Sequence, residues 1–289
     1  MNSIAVLHLG LIDYATALRL QETLVELRKQ ERVPNVLLLL EHAPVITLGR
    51  NAKPANIIAS REFLAGKGVE VFEINRGGDV TFHGPGQLVG YPIFDLRSFT
   101  PKLGAVDYVR KLEEVLIGTC AQYRIEAQRI RGMTGVWTMA GEQAVDEKET
   151  TGAPGPAPRS SALTRERRCE RKLAAIGVHI SRGVTSHGFA LNVSTDLEYF
   201  KLIIPCGLSG KPVTSIERES GTQVPITEVL PVVTRNFGAV FGAQILWLES
   251  LDELLAGAPG QPYAPAPQDT PAKTPEELRR LHHEDTHLA

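Results

Sequence analysis

Cysteine is scarce in this chain: three among 289 residues, Cys120, Cys169 and Cys206, with neither paired spacing nor a metal-ligand pattern. So small and odd a set excludes a disulfide framework and suits a reducing compartment, where any one of them is available as a reactive thiol. No window approaches 18 uninterrupted apolar residues, and the N-terminus lacks a basic-then-apolar signal. Neither a membrane span nor a secretory leader is therefore expected, and the chain reads as cytoplasmic. A dominant charge is missing too. Lys and Arg number 31 against 33 Asp and Glu, and the formal net charge of −2 supplies no footprint for nucleic acid or an anionic membrane.

Apolar residues, at 43%, suffice for a real core in one large domain or two small ones. Residues 1–250 read as one folded domain. Apolar periodicity stops between 141 and 170, where Ala, Pro, Gly, Ser, Thr and charges dominate. That segment reads as a mobile insertion, and 251–289 as a Pro-rich flexible tail.

Elsewhere the periodicity is regular. Residues 4–9 and the apolar run 36–40 read as strands. Ala15, Leu18, Leu20, Leu24 and Leu27 mark a helix over 14–29. The segment 69–74 alternates as a strand. A second helix fits 105–123, with Cys120 on its apolar stripe and Glu113 on its polar side. Short strands follow at 127–130 and 135–139. A hairpin pairs 173–180 with 184–193, and a helix at 227–241 and a strand at 244–249 close the fold. Strands outnumber helices, so the class is α+β: a mixed sheet with helices packed on one side.

The stretch Arg76-Gly77-Gly78-Asp79-Val80-Thr81-Phe82-His83-Gly84-Pro85-Gly86-Gln87 breaks this regularity. Glycine permits positive φ and close approach of a ligand, at an entropic cost that something must offset. A plain Gly-Pro turn needs neither twelve residues nor these polar types. There is no G-x-x-x-x-G-K-[ST], and the G-x-G at Gly84 and Gly86 has its next glycine at 90 rather than 89, so both nucleotide fingerprints are absent. The stretch reads as the wall of a binding site. His42, alone among apolar residues, reads as a satisfied structural histidine.

Cys206 is the candidate nucleophile, since it follows the apolar run 202–204 and lies between Pro205 and Gly207. A free thiol with a pKa of ~8.5 is only about 3% thiolate at pH 7, so it needs a cation or base beside it. Lys172, opening a strand that otherwise reads as buried, is the cation of choice. At ~4 Å and an effective dielectric of ~20 the pair would interact by ~4 kcal/mol before desolvation is counted. Neither the inert buried cysteine nor the solubilising lysine is excluded by sequence. A zinc site from His179, His187 and Cys206 matches no ligand spacing.

The 76–87 stretch resembles the signature of the lipoyl(octanoyl) transferases. So do Thr134-Gly135-Val136-Trp137, Lys172-Leu173-Ala174-Ala175-Ile176-Gly177, Gly188-Phe189-Ala190-Leu191-Asn192, and Pro205-Cys206-Gly207 followed by Val213-Thr214-Ser215. The matches run in order to about residue 250. Two features depart from the pattern: Phe82 stands where tyrosine is frequent, and 141–170 is longer than the family's usual link. The resemblance implies the fold of the biotin/lipoate protein ligases, a mixed sheet flanked by helices. It implies transfer of an octanoyl group from acyl carrier protein to a lysine of lipoyl domains, those of 2-oxoacid dehydrogenases and the glycine cleavage H protein. Cys206 would carry the acyl group as a thioester, and Lys172 would lower the thiol pKa and relay a proton. Substrate-binding positions map onto Arg76 through His83, onto Ala175, Ile176 and Gly177, and onto Gly188, Phe189 and Ala190. No cofactor, metal or nucleotide is implied. His83 would position either the acyl carbonyl or the acceptor amine. Two rivals stand beside this reading: an ATP-dependent lipoate or biotin ligase, which needs no thiol, and an inactive scaffold that binds the same partners.

Overall fold

Asn2–Ile12 forms the first strand, β1, longer at both ends than its sequence suggests. It lies parallel to β2 (Asn35–His42), and the two are apolar on both faces. Ile4, Val6, Leu37 and Leu39 point into one core, whereas Ala5, Leu7, Val36 and Leu38 point into another. A strand with two buried faces must be covered twice. The helices accordingly pack on both sides of the sheet, which corrects the one-sided arrangement expected from the sequence. The structure, a computed structural model, describes residues 2–140, 169–204, 211–255 and 261–262.

On one face lies α1 (Tyr14–Lys29), whose N-cap Asp13 accepts a hydrogen bond from the Thr16 backbone N–H at 2.8 Å. Further along the chain come α2 (Arg61–Gly66), capped by Ser60, and α3 (Ala105–Gln122). The opposite face is covered by α3 together with α5 (Ile226–Phe241), which follows the short α4 (Ile216–Ser220). Phe94, Phe237 and Phe241 meet there with ring centroids 5.4–6.1 Å apart. The last helical turn, α6 (Leu251–Leu255), buries Leu251 and Leu254 against the α1 face, so 251–255 belongs to the folded body rather than the tail.

The remaining strands are β3 (Val45–Leu48), β4 (Glu70–Glu73), β5 (Val80–His83), β6 (Gln87–Ile93), β7 (Ala127–Ile130), β8 (Met133–Ala140), β9 (Cys169–Ser181), β10 (Val184–Asn192), β11 (Ala243–Trp247) and β12 (Gln261–Pro262). Nine form a mixed sheet in the order β12-β11-β1-β2-β6-β10-β9-β8-β7. The hairpin expected at 173–193 is β9–β10, antiparallel, turning at Arg182 and Gly183. A separate three-stranded sheet, β4-β3-β5, has its own small core of Ile46, Leu64, Val69, Val80, Phe82 and Ile203. The expectations for 141–168, 256–260 and 263–289 lie outside the described residues. No described helix is long and apolar enough to cross a membrane.

Candidate active site

The small sheet carries the glycine-rich stretch up to the edge of the large one. Part of that stretch is a strand, β5, which pairs antiparallel with β3 through Thr47 and Thr81, a pairing its own glycines and polar residues do not announce. Arg76, 8% exposed, donates from Nη2 to the Thr47 carbonyl at 2.8 Å and to Thr47 Oγ1 at 3.0 Å, and from Nη1 to the Gly77 carbonyl at 3.0 Å. Gly78, at φ 91°, takes a conformation that favours glycine. Both carboxylate oxygens of Asp79 accept from Asn56 Nδ2, at 3.0 and 2.8 Å, and Oδ1 also accepts the Val80 N–H at 2.7 Å. Asp79 is thus a strap between the wall and the chain at Asn56. Phe82 does not face the cleft: its ring stacks on Tyr199 at 4.6 Å inside the small core, and a packing role replaces the substrate contact expected of it. Gly77 lies behind the wall, its N–H donating to the Val178 carbonyl at 3.0 Å.

Beneath the wall, β6, β10 and β9 provide a floor. Ala190 is paired with Val89 on one side and Ala175 on the other, and Gly188 with Gly177. Alternation turns Ile176 and Phe189 to the far face, where Phe189 stacks on Phe237 at 6.0 Å. The small side chains thus face the cleft, and Ile176 borders it with backbone. Arg76, Gly78, Asp79, Val80, Thr81, His83, Ala175, Ile176, Gly177, Gly188, Phe189, Ala190 and Lys172 all border this one cleft, whose internal cavity is about 70 Å³.

Lys172 enters at one end. Its ammonium lies 5.2 Å from the centre of the Trp137 ring, an attractive cation–π geometry. Its stem passes over Gly135, whose φ is 123° and whose absent Cβ would stand 2.9 Å from Lys172 Cε and 2.5 Å from the Ala174 carbonyl oxygen. The Gly135 N–H donates to Glu113 Oε1 at 3.3 Å, while Glu113 Oε2 accepts from Arg110 at 2.8 Å and Arg129 at 3.0 Å. Glu113 is 2% exposed, so the polar surface position expected for it is corrected. Arg110 lies one turn earlier on α3, whereas Arg129 and the Gly135 N–H come from β7 and β8, contacts that no helical periodicity could reveal. Gly135→Ala is expected to lower stability by about 2–4 kcal/mol, through the positive φ and the clash together, and to displace the lysine. Urea midpoints and transfer rates measured on the same preparation check both effects.

A chain of polar side chains spans the cleft. Thr47 Oγ1 lies 3.4 Å from His83 Nε2, and His83 Nδ1 lies 2.7 Å from Gln87 Oε1. Gln87 Nε2 donates to Asn192 Oδ1 at 2.9 Å, and Asn192 Nδ2 to the Thr214 carbonyl at 2.8 Å. Because the Gln87 amide nitrogen is committed to Asn192, its oxygen accepts, which assigns the His83 proton to Nδ1. His42 is a satisfied core residue, placed 3.0 Å from the Ile12 carbonyl and 2.6 Å from the Tyr91 hydroxyl. His187, buried with φ 55°, has Nε2 2.8 Å from Asn75 Oδ1.

Burial lowers the pKa of His42 to about 4, and of His83 and His187 to about 3; Arg76 and neighbouring histidines add repulsion at the last two. All three are neutral in the folded protein, whereas an unfolded chain protonates them near pH 6.5. The stability they contribute is complete above that value and is lost as pH falls toward 3–4, by up to ~1.4 kcal/mol per group per pH unit. Urea midpoints at pH 7.5, 6 and 5 are expected to fall in that order. A midpoint unchanged down to pH 5 would contradict neutral burial.

Cys206 lies outside the described residues. The described chain on either side of it is anchored at the cleft. The Ile204 N–H donates to the Asn56 carbonyl at 2.7 Å, the Lys172 N–H to the Pro212 carbonyl at 2.9 Å, and the Thr214 N–H to the Lys172 carbonyl at 2.9 Å. Asn56 is not singled out by the sequence, and neither its tie to Asp79 nor the Gln87–Asn192 bridge is, although Asp79, Gln87 and Asn192 stand in the motifs read above. A lone polar residue among loops carries no periodic signal.

Comparison with known proteins follows the same outline. The family described as "Lipoyl protein ligase A/B catalytic domain" matches residues 13–238. An octanoyltransferase of Koribacter versatilis is 56% identical over 285 residues, 99% of each chain. One from Acidobacterium capsulatum is 54% identical over 257 residues, 86% of this chain and 95% of the relative. Among solved structures, a bi-partite lipoate protein ligase of Thermoplasma acidophilum superposes with a TM-score of 0.58 at 15% identity, covering 89% of this chain and 90% of that one. A lipoate-protein ligase A bound with ATP gives 0.57 at 14% identity, covering 89% and 92%. At such identities these structures support the fold alone.

Proposed function

This chain belongs to the lipoyl protein ligase A/B catalytic-domain family, among its octanoyltransferases, and from that premise we propose a covalent route for octanoyl transfer in protein lipoylation. The donor is octanoyl-acyl carrier protein, and the acceptor is a lysine of a lipoyl domain, as in 2-oxoacid dehydrogenases or the glycine cleavage H protein. The Cys206 thiolate attacks the donor's thioester carbonyl. The carbon–sulfur bond to the carrier breaks, and the departing thiolate takes a proton from the Lys172 ammonium. The acceptor amine then attacks the acyl-enzyme, forms the amide, releases the Cys206 thiolate and returns a proton to Lys172. One thioester replaces another in the first step, so no nucleotide is needed, and two easier steps replace one encounter between macromolecules.

One observation carries this reading: Lys172 shares a cleft with the glycine-rich wall, and its backbone binds the chain that leads away from Cys206. The floor supports it as well. An octanoyl tail has about six methylenes, worth ~5 kcal/mol if fully buried, and alanine and glycine leave room for them. His83, held by Gln87 and directing Nε2 toward Thr47, acts as a positioning residue for this wall.

The test mixes the protein with octanoyl-carrier protein and a lipoyl domain, without nucleotide. Acylation of the domain, with an octanoyl mass increment on the enzyme itself, supports the route. Strict dependence on ATP and free acid would make the chain a ligase, and partner binding without any mass shift would make it a scaffold.

A further inference from the structure

The floor of the cleft is graded in height from the Lys172 end to the other. At the near end Gln87 and Asn192 form a polar row, paired across β6 and β10. The next row on the same face is Val89, Ala190 and Ala175, in direct cross-strand register. Beyond it lies Gly177, where the cleft closes. A Cβ on Gly177 would stand 2.7 Å from the Gly77 carbonyl oxygen and 3.1 Å from Arg76 Cδ, so the wall itself rests on that glycine. Arg76 cannot swing away freely, because Thr47 holds its guanidinium through both Oγ1 and the backbone carbonyl. Tyr14, 2% exposed, and the buried His187 and Tyr91 border the same end.

From these contacts we infer that the cleft measures acyl length: Ala175 and Ala190 set the width of the slot, and Arg76, clamped by Thr47, is its end stop. The inference rests on the reading above in one respect, that the reacting carbonyl lies at Lys172. At ~3.3 Å per residue, β9 runs about 10 Å from Lys172 to Ala175 and about 16 Å to Gly177. Eight carbons at full extension span about 9 Å with ordinary bond lengths and angles. An octanoyl tail starting at Lys172 therefore reaches the alanine pair and stops short of the Arg76 barrier. Two further carbons still fit, and four more meet the guanidinium. The alanines matter because they stand side by side on the cleft face: a branched side chain at either position raises the floor at the depth of the last methylenes. Their neighbours Ile176 and Phe189 are large without consequence for the slot, since they face the opposite core.

The test reads acyl-enzyme formation by intact mass with butyryl, hexanoyl, octanoyl, decanoyl and dodecanoyl pantetheine thioesters. The unsubstituted protein is expected to fall steeply between decanoyl and dodecanoyl. Ala175→Val is expected to spare butyryl while losing octanoyl by roughly fifteenfold, about fourfold for each of two methylenes denied burial. Ala190→Val gives the same change and serves if Ala175→Val does not fold. A uniform loss at all lengths, a variant profile parallel to that of the unsubstituted protein, or undiminished dodecanoyl transfer would each overturn the slot. No mass shift with any thioester in the unsubstituted protein would instead remove the covalent reading beneath it.

Discussion

Cys206→Ala is expected to accumulate no acyl-enzyme and to lose transfer by several orders of magnitude. Removing a nucleophile from a covalent mechanism abolishes the pathway, and what survives is only the contribution of binding and oxyanion stabilisation. Cys120 is fully buried on the apolar stripe of α3, and burial pushes its thiol pKa up to about 12, which keeps it protonated and inert. Cys120→Ser should therefore leave acylation largely intact, even where it weakens packing. The two variants, compared by intact mass after octanoyl thioester treatment, separate a nucleophile from a structural sulfur. Full transfer by Cys206→Ala would end the covalent route.

Lys172→Ala should be the second largest loss, on the order of tenfold or more in the first step. Without the ammonium, the Cys206 thiol returns toward the ordinary range near pH 8.5, and little thiolate remains at neutral pH. The pH profile of iodoacetamide alkylation at Cys206 should move upward accordingly. Lys172→Arg separates the two roles given to this side chain. The guanidinium keeps the charge but cannot donate and retrieve a proton, so the alkylation profile should stay low while transfer falls. The cradle explains why no third residue type serves here: the stem runs over a glycine that no side chain can replace, and the head rests against Trp137. An alkylation profile identical in Lys172→Ala and the unsubstituted protein would sink the electrostatic role.

The covalent route proposed for these two residues also differs from the nucleotide-dependent alternative in what it requires of the site. A ligase activates a free acid and has no use for a thiolate, whereas a lysine committed to Trp137 and tied by its backbone to Pro212 and Thr214 organises the chain that follows the cysteine. The likeness to an ATP-bound ligase extends to the fold and, at 14% identity, no further.

Local order was legible in the amino-acid sequence. The helices at 14–29, 105–122 and 226–241, and the β9–β10 hairpin, follow from period and turn chemistry, which neighbouring residues determine by themselves. The chemical types in the glycine-rich stretch, Lys172 and Cys206 were legible too, because reactive groups and glycine clusters stand out wherever the chain later goes. Which surfaces meet was decided only by tertiary structure. Helices cover both faces because β1 and β2 are apolar on both. Glu113 is buried because Arg129 of β7 and the Gly135 N–H of β8 join its helix neighbour Arg110 around it. Phe82 turns from the cleft into a core that exists only once β3 and β5 pair with the 199–203 segment beside them. Ala175 and Ala190 become a pair only in register, across a hairpin whose sequence names its strands but not the face that each side chain will share. Period is a property of the chain; burial is a property of contacts, and contacts between distant segments form only on folding.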